Sequence, residues 1–424
     1  MRDHEREVPR GRTKRRVIGA DTEAEAFEGV AAVTEFTEIR NGRIVTPSGV
    51  IEGGRVVVAG ERIVRIDRSE GDASGGGTSV DAAGRVVMPG LIDLHGDDIE
   101  GQFAPRSGAE TDPTAALATT DRMNVLHGVT TKFHALAFEE APDDGRSLEN
   151  AARLARAVDR GADTLGDNRV HARCELADAS AAAVEELTAE VDVDLVSVMH
   201  HAPGDGQYDA ESFERHYVED RNWPVDAAEA AAEERSGMDA ASRDRRIARI
   251  VELARRVGAP LASHDDECRA DVETMADHGT AISEYPLTLD AARRAKDLGL
   301  ATVMGAPNLV RGGSLWDNLS ARDAIEAEVL DVLCSDYHPA SLLAAPFVET
   351  GEPLSARVNR VTRNPADVAG LPDRGRIEVG ARADLIVVDP SPTPTVERAI
   401  VAGSEAIRTG EATAAETPPR PVGR

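Results

Sequence analysis

The stretch Val87 to Asp98, VMPGLIDLHGDD, brings an imidazole and a carboxylate together where an apolar run gives out. Side chains two apart in a strand point to one side, so His95 and Asp97 can address one point and share a metal ion. One H-x-D in an acidic protein would be a weak signal, but here the pattern recurs. Glu175 in HARCEL, His200 and His201 in VMHHAPG, His264 in ASHDDE and Asp336 in CSDYHP each stand where another apolar run ends. A single strand histidine is commonly a hydrogen-bonded core residue. Many ionisable groups at strand exits are costly to gather without a cation to pair them. Metal-assisted hydrolysis is the chemistry such a set suits.

Mixed imidazole and carboxylate donors suit zinc, with manganese or iron as alternatives, and a bridging carboxylate allows two ions. Glu175 is the expected bridge. A carboxylated Lys132 is the other option, disfavoured because it precedes Phe133 and His134 early in the barrel and Glu175 already supplies the negative charge. His200 and His201 project to opposite faces, and His201, beside the Ala-Pro-Gly turn, is the expected ligand. Asp336, on the last strand, can touch metal and accept the proton of the attacking water; its alternative role is to cap a helix starting at Pro339. Arg106 in FAPRSG and Arg311 in GAPNLVRGGS lie beside glycines and suit an anionic, phosphate-bearing substrate.

These residues need a scaffold that gathers strand ends. From about residue 89 to 370, β-rich runs alternate with helix-like runs: GLIDLHG, VTTKFHALAF, VHARCEL, LVSVMHHA, LASHDDE, AISEYPL, ATVMGAP and VLCSDYH are the strand candidates. Eight βα units over this length predict a closed (β/α)8 barrel of the TIM type, with the residues above at its C-terminal mouth. Between the strands, SRDRRIARIVELARRVG reads as an amphipathic outer helix. Residues 203–238 form a long insertion of the kind that covers a barrel mouth. Short strand-like runs within 36–88 and 371–408 predict a small β-sandwich domain built from both chain ends. Residues 1–35 and 409–424 lack periodicity and are expected to be mobile.

Composition narrows the function further. The 424 residues carry 48 Lys+Arg against 76 Asp+Glu, a formal charge of −28, which argues against nucleic acid or anionic membrane as a partner. Only Lys14, Lys132 and Lys296 are lysines, and so acidic a surface suits a high-salt cytoplasm, where screening removes most of the self-repulsion. Cys174, Cys268 and Cys334 are odd in number and far apart, as in a reducing compartment. The charged start has no apolar stretch of a signal peptide, and no run approaches a membrane span, so a cytoplasmic protein is expected.

Taken together, the segments from Arg43 to Val401 resemble the amidohydrolase superfamily, and within it the diphosphatases of phosphonate degradation. PGLIDLH and NPADVAGLPDRGRIEVGARADLIVVD carry the broad likeness; HGDDIEGQFAPRSG, RCEL, VMHHAPGDGQY, LASHDDE, ISEYPLTLDAARRA, VMGAPNLVRGGS and SDYHPASLL carry the narrower one. The resemblance implies hydroxide attack on the α-phosphorus of α-D-ribose 1-methylphosphonate 5-triphosphate, with release of pyrophosphate. It implies a metal set of His95, Asp97, Glu175, His201, His264 and Asp336, with Asp336 as base. His134 and His200 depart from the acidic residues expected at their positions, and His201 and His264 fall one strand earlier than is usual. A homo-oligomer and association with other phosphonate-pathway enzymes are further expectations. Two rival readings remain: hydrolysis of a cyclic amide or N-acyl substrate, and a barrel without metal that serves as a scaffold.

Overall fold

A computed structural model of the chain describes residues 36–68, 77–106, 108–140, 146–202, 210–220 and 223–409. The termini expected to be mobile lie outside these residues, apart from Thr409. The described chain opens with β1 (Phe36–Thr46), β2 (Gly49–Ala59), β3 (Arg62–Arg68), β4 (Thr78–Asp81) and β5 (Val86–Pro89). These belong to one sheet with three strands from the far end, β14 (Leu385–Asp389), β15 (Thr395–Val401) and β16 (Ser404–Arg408), in the order β16-β15-β14-β5-β1-β2-β3, with β4 alongside β1. Ile39, Val56, Val58, Ile63, Leu385 and Val387 fill a core of its own. Met88, Ile386 and Val388 instead join a cluster with Leu91, Val125 and Val129. Both chain ends thus build one sheet against the region between them.

That region supplies β6 (Leu91–Gly96), β7 (Val129–Phe138), β8 (Asp167–Glu175), β9 (Leu195–Met199), β10 (Leu261–His264), β11 (Ile282–Glu284), β12 (Ala301–Gly305) and β13 (Val332–Cys334). They pair in chain order and in parallel, and each coincides with one of the eight apolar runs read from the sequence. The ring closes just past β13: Asp336 N–H donates to His95 O (2.9 Å) and Asp97 N–H to Asp336 O (3.2 Å). Three expected metal residues, His95, Asp97 and Asp336, therefore form the closing seam.

The period of two along each strand sorts the side chains. Leu94, Phe133, Leu195, Ala262, Ile282, Val303 and Val332 fill the lower barrel, with Ala366 and Leu371 packed on the same cluster. One step higher on their strands come His171, Ser197 and Glu284, a buried polar layer. Ala172 and Cys174 of β8 and Val196 and Val198 of β9 alternate outward, against helices Leu148–Arg160, Asp178–Leu187 and Ala240–Val257. Cys174 is thus in the outer layer.

Helix Ala240–Val257 is the amphipathic segment foreseen in the sequence. Asp239 caps its start, and Gly258, with φ +73°, ends it in the left-handed conformation open to glycine. Ile247, Ile250, Val251 and Ala254 are buried, while Arg249 on the outer side pairs with Glu185 (2.7 Å).

Phe133 points inward, so its neighbour Lys132 points outward, where Nζ donates to Asp93 (2.6 Å) and Ser335 (3.0 Å) and pairs with Asp98 (2.9 Å). Lys132 sits behind the barrel wall. This geometry leaves it no access to the mouth as a carboxylated bridge.

Of the 203–238 insertion, residues 203–209 and 221–222 lie outside the described set. The rest forms Ala210–Glu214, a π-helical turn Arg215–Asp220 and Val225–Ser236, with Phe213, Tyr217, Trp223 and Ala228 clustered against Trp316. No helix among the described residues is long and apolar enough to cross a membrane.

Candidate active site

The C-terminal ends of the barrel strands open into a cavity of about 370 Å³. His95, Asp97, His201, His264, Arg311 and Asp336 line it, as do Glu139, Arg146, Arg173, Asp265 and Tyr285. Tyr217 and Trp316 reach it from the insertion cluster, so the insertion covers part of the mouth. Six of the eight expected site residues therefore share one space. Glu175 lies immediately behind His201, and Arg106 is exposed on a turn, its carbonyl accepting from Ala109 N–H (3.0 Å). Helix Asp98–Phe103 starts directly after Asp97 and carries the chain away, which is why Arg106 does not line the cavity.

Carboxylates hold the histidines from behind. His95 Nδ1 lies 3.2 Å from Glu284 Oε1 and His264 Nδ1 lies 3.4 Å from Glu284 Oε2. His201 Nδ1 lies 2.9 Å from Glu175 Oε2, and its N–H donates to Glu175 Oε1 (3.2 Å). A carboxylate on Nδ1 keeps the proton there and leaves Nε2 as the donor atom, the arrangement that orients metal-binding imidazoles. The ring centroids of His95 and His264 are 5.6 Å apart and those of His201 and His264 5.7 Å. Arg235 of the insertion fixes the loop from outside, Nη1 donating to His201 O (3.0 Å) and Tyr217 Oη (2.9 Å).

Among the described residues, three groups of ligand atoms lie close enough to hold an ion: His95, His264 and Glu284; His201, His264 and Asp265; and Glu139, Glu175 and His201. Asp97 and Asp336 border the same space without joining any of the three. The residues fit a divalent cation on two grounds. The donors are imidazole nitrogens and carboxylate oxygens, and Asp265 Oδ2 is buried without a hydrogen-bond partner among the described residues, an acceptor that a cation would satisfy.

The backbone at the mouth is constrained as well. Asp265, Tyr285 and Asp336, each just past a strand, have φ of +59°, +53° and +56°. Left-handed backbone is tolerable for aspartate and costly for tyrosine, and such strain concentrates at functional sites.

Charge follows from this setting. Burial works against ionisation of Glu284, but the His95 and His171 imidazoles and the hydrogen bond to His264 outweigh it and hold the carboxyl well below its usual range. Ser197 Oγ donates to Glu284 Oε2 (2.7 Å) and completes its shell. Burial depresses His95 and keeps it neutral, as a metal ligand must be. Burial, with Asp97 beside it, pushes Asp336 up to about 7. Asp336 makes no cap for the helix at Pro339, whose N-cap is His338.

His200 turns from the main cavity into a smaller one of about 250 Å³ with Arg243 and Asp244, consistent with the opposite-face argument. His134 is buried in β7, Nε2 2.7 Å from Asn168 Oδ1, and away from the mouth. Glu139, Arg173, Asp265 and Glu284 were missed in the sequence. The signal for Glu139 and Asp265 was present, since both are carboxylates at strand exits. Glu284 and Arg173 lie inside strand runs and show themselves only when the alternation is followed residue by residue.

Comparison with known proteins agrees with this architecture. The amidohydrolase family model matches residues 110–410. The chain is 34% identical over 360 residues to the α-D-ribose 1-methylphosphonate 5-triphosphate diphosphatase of Escherichia coli, covering 82% of this chain and 94% of that one. It is 26% identical over 389 residues to the 5-methylthioadenosine/S-adenosylhomocysteine deaminase of Halobacterium salinarum, covering 84% and 85%. Among solved structures, a Xaa-Pro dipeptidase with bound methionine superposes with a TM-score of 0.60 at 16% identity, covering 87% of this chain and 99% of that one. A prolidase complexed with N-methylphosphonate-L-proline gives 0.58 at 18%, covering 88% and 100%. With its barrel, its histidine and carboxylate mouth and a family match over most of its length, the chain belongs to the amidohydrolase family.

Proposed function

We propose that the chain is a metal-dependent hydrolase that cleaves α-D-ribose 1-methylphosphonate 5-triphosphate to the 5-phosphate and pyrophosphate. The observation that carries the substrate is the likeness to the Escherichia coli diphosphatase across 94% of that protein. The cavity supports it from the side of chemistry, with carboxylates and imidazoles at its base and Arg146, Arg173 and Arg311 on its walls. A neutral amide substrate would offer these cations no anion to bind.

His95, Asp97, Glu175, His201, His264 and Asp336 would hold two divalent ions, zinc first among them, with Asp265, Glu139 and Glu284 as further carboxylates within reach. Such ions supply Lewis acidity and make a nearby water more acidic. Asp336, poised near neutrality, takes the proton of the attacking water. The water oxygen bonds to the α-phosphorus, and the bond from that phosphorus to the β-bridging oxygen breaks. Its electron pair departs with pyrophosphate. His201, tied to Glu175 and through its carbonyl to Arg235, keeps its place while the insertion limits access of bulk water. We infer a cytoplasmic enzyme working beside others of phosphonate degradation.

The test is ³¹P NMR of the metal-loaded protein with the sugar triphosphate, with and without chelator. Pyrophosphate appears only with metal, and Asp336→Asn abolishes it; intact triphosphate in the metal-loaded sample would overturn the reading.

A further inference from the structure

Arg173 is an odd residue for the interior of a metal site. Along β8, His171, Arg173 and Glu175 alternate inward, so the guanidinium rises between the polar layer and the mouth and lines the cavity. It is only 7% exposed. Nε donates to Met199 Sδ (3.2 Å), a weak acceptor. Nη1 is buried, makes no hydrogen bond among the described residues and stands 3.8 Å from Asp97 Oδ2, too far for one. Arg146, in the exit loop of the preceding strand β7, approaches the same Asp97 oxygen to 3.8 Å.

A buried guanidinium with an unspent N–H is expensive. A divalent ion nearby makes it more so, because like charges repel. What repays both is an anion between the guanidinium and the metal residues. A phosphoryl group offers several anionic oxygens and matches the planar fork of arginine, whereas an amide carbonyl offers one neutral oxygen.

We propose that Arg173 is a catalytic residue that binds the phosphoryl oxygens at the reacting end of the substrate, with Arg146 beside it, so that the phosphate class of substrate is read inside the mouth and not at Arg106. This rests on the function proposed above. As charge shifts to the leaving pyrophosphate, a guanidinium already held at the cavity wall meets it with little solvent reorganisation.

The probe is inorganic pyrophosphate, a product, titrated by calorimetry into the full-length protein, both metal-loaded and chelator-treated. Arg173→Ala should bind it about 10- to 100-fold more weakly in both states, and turnover of the sugar triphosphate should fall about 10²- to 10³-fold. Millimolar guanidinium should restore part of that turnover in Arg173→Ala and none in Asp336→Asn, which a merely structural arginine would not do. If Arg173→Ala does not fold, Arg173→Lys serves, with charge kept and the fork lost, and pyrophosphate binding should again weaken. Unchanged pyrophosphate affinity, or no guanidinium rescue, would overturn the proposal. A wild-type protein that turns over the triphosphate while Arg173 variants match it refutes this role alone. A wild type that binds pyrophosphate through Arg173 but leaves the triphosphate intact refutes the proposed function and keeps the anion site.

Discussion

Replacing Lys132 by methionine should cost the protein more stability than most point changes. Nζ holds two carboxylates and a hydroxyl: Asp93 at 2.6 Å, Asp98 at 2.9 Å and Ser335 at 3.0 Å, and the lysine side chain is 3% exposed and that of Asp93 0%. Deleting one partner of a buried pair strands the other, at a cost of about 3–5 kcal/mol. For the roughly 350 described residues this is a fall in Tm of about 4–7 °C, given ~2 cal/mol/K of unfolding entropy per residue. The assay is calorimetric unfolding of the chelator-treated protein at neutral pH. Because the pair is buried, the fall should be the same in 0.2 M and in about 3 M KCl, whereas exposed pairs would be screened away.

The pH dependence has a defined sign. The partners outweigh burial and hold Lys132 above its usual value and Asp93 below its own, so wild type has the stabilisation from above the ordinary aspartate range to below the ordinary lysine range. It loses the Asp93 part as pH falls through that lowered value. In Lys132→Met, Asp93 is buried without its cation and protonates readily, so the gap to wild type narrows toward acid. Replacing Asp93 as well, by leucine, should return part of the loss. A Tm within about 1 °C of wild type, or a deficit abolished by salt, would refute the reasoning.

Glu284→Gln should weaken zinc binding about 10- to 100-fold, measured by competition with a chromogenic chelator, because the carboxylate that orients both His95 and His264 is gone. Arg106→Gln should leave turnover unchanged, while Arg311→Gln should raise KM, since only Arg311 lines the cavity, tied there to Tyr337 Oη (3.1 Å). Asp336 near 7 has the opposite linkage to Asp93: its raised carboxyl contributes fully to the stability of the chelator-treated protein below about pH 4, and that contribution is lost progressively as pH rises from there through about 7. Zinc must displace this proton, so zinc affinity should drop as pH falls below about 7 and drop less in Asp336→Asn, read by titration across pH 5.5–8.

The barrel was legible in the sequence because its strands are buried on both faces and so read as continuous apolar runs, with ionisable residues starting where burial ends. That one rule picks out His95, Asp97, His201, His264 and Asp336, which line one cavity. Arg106 was chosen by loop composition instead and does not line it, because the helix after Asp97 decides where the loop goes. The rule failed for Glu284 and Arg173, whose charges sit within strands and are sustained by pairings made across the barrel. Glu284 depends on histidines 189 and 20 residues away in sequence, and no local pattern reports such partners. Lys132 shows parity at work, since one position along β7 separates the barrel interior from a buried pair behind its wall.

The central claim is hydrolysis at the α-phosphorus. Running the metal-loaded reaction in ¹⁸O-labelled water and weighing both products by mass spectrometry tests it directly. The account predicts one labelled oxygen in the ribose 5-phosphate and unlabelled pyrophosphate. Label in the pyrophosphate would place the attack on the β-phosphorus, and intact triphosphate would remove the phosphohydrolase reading altogether.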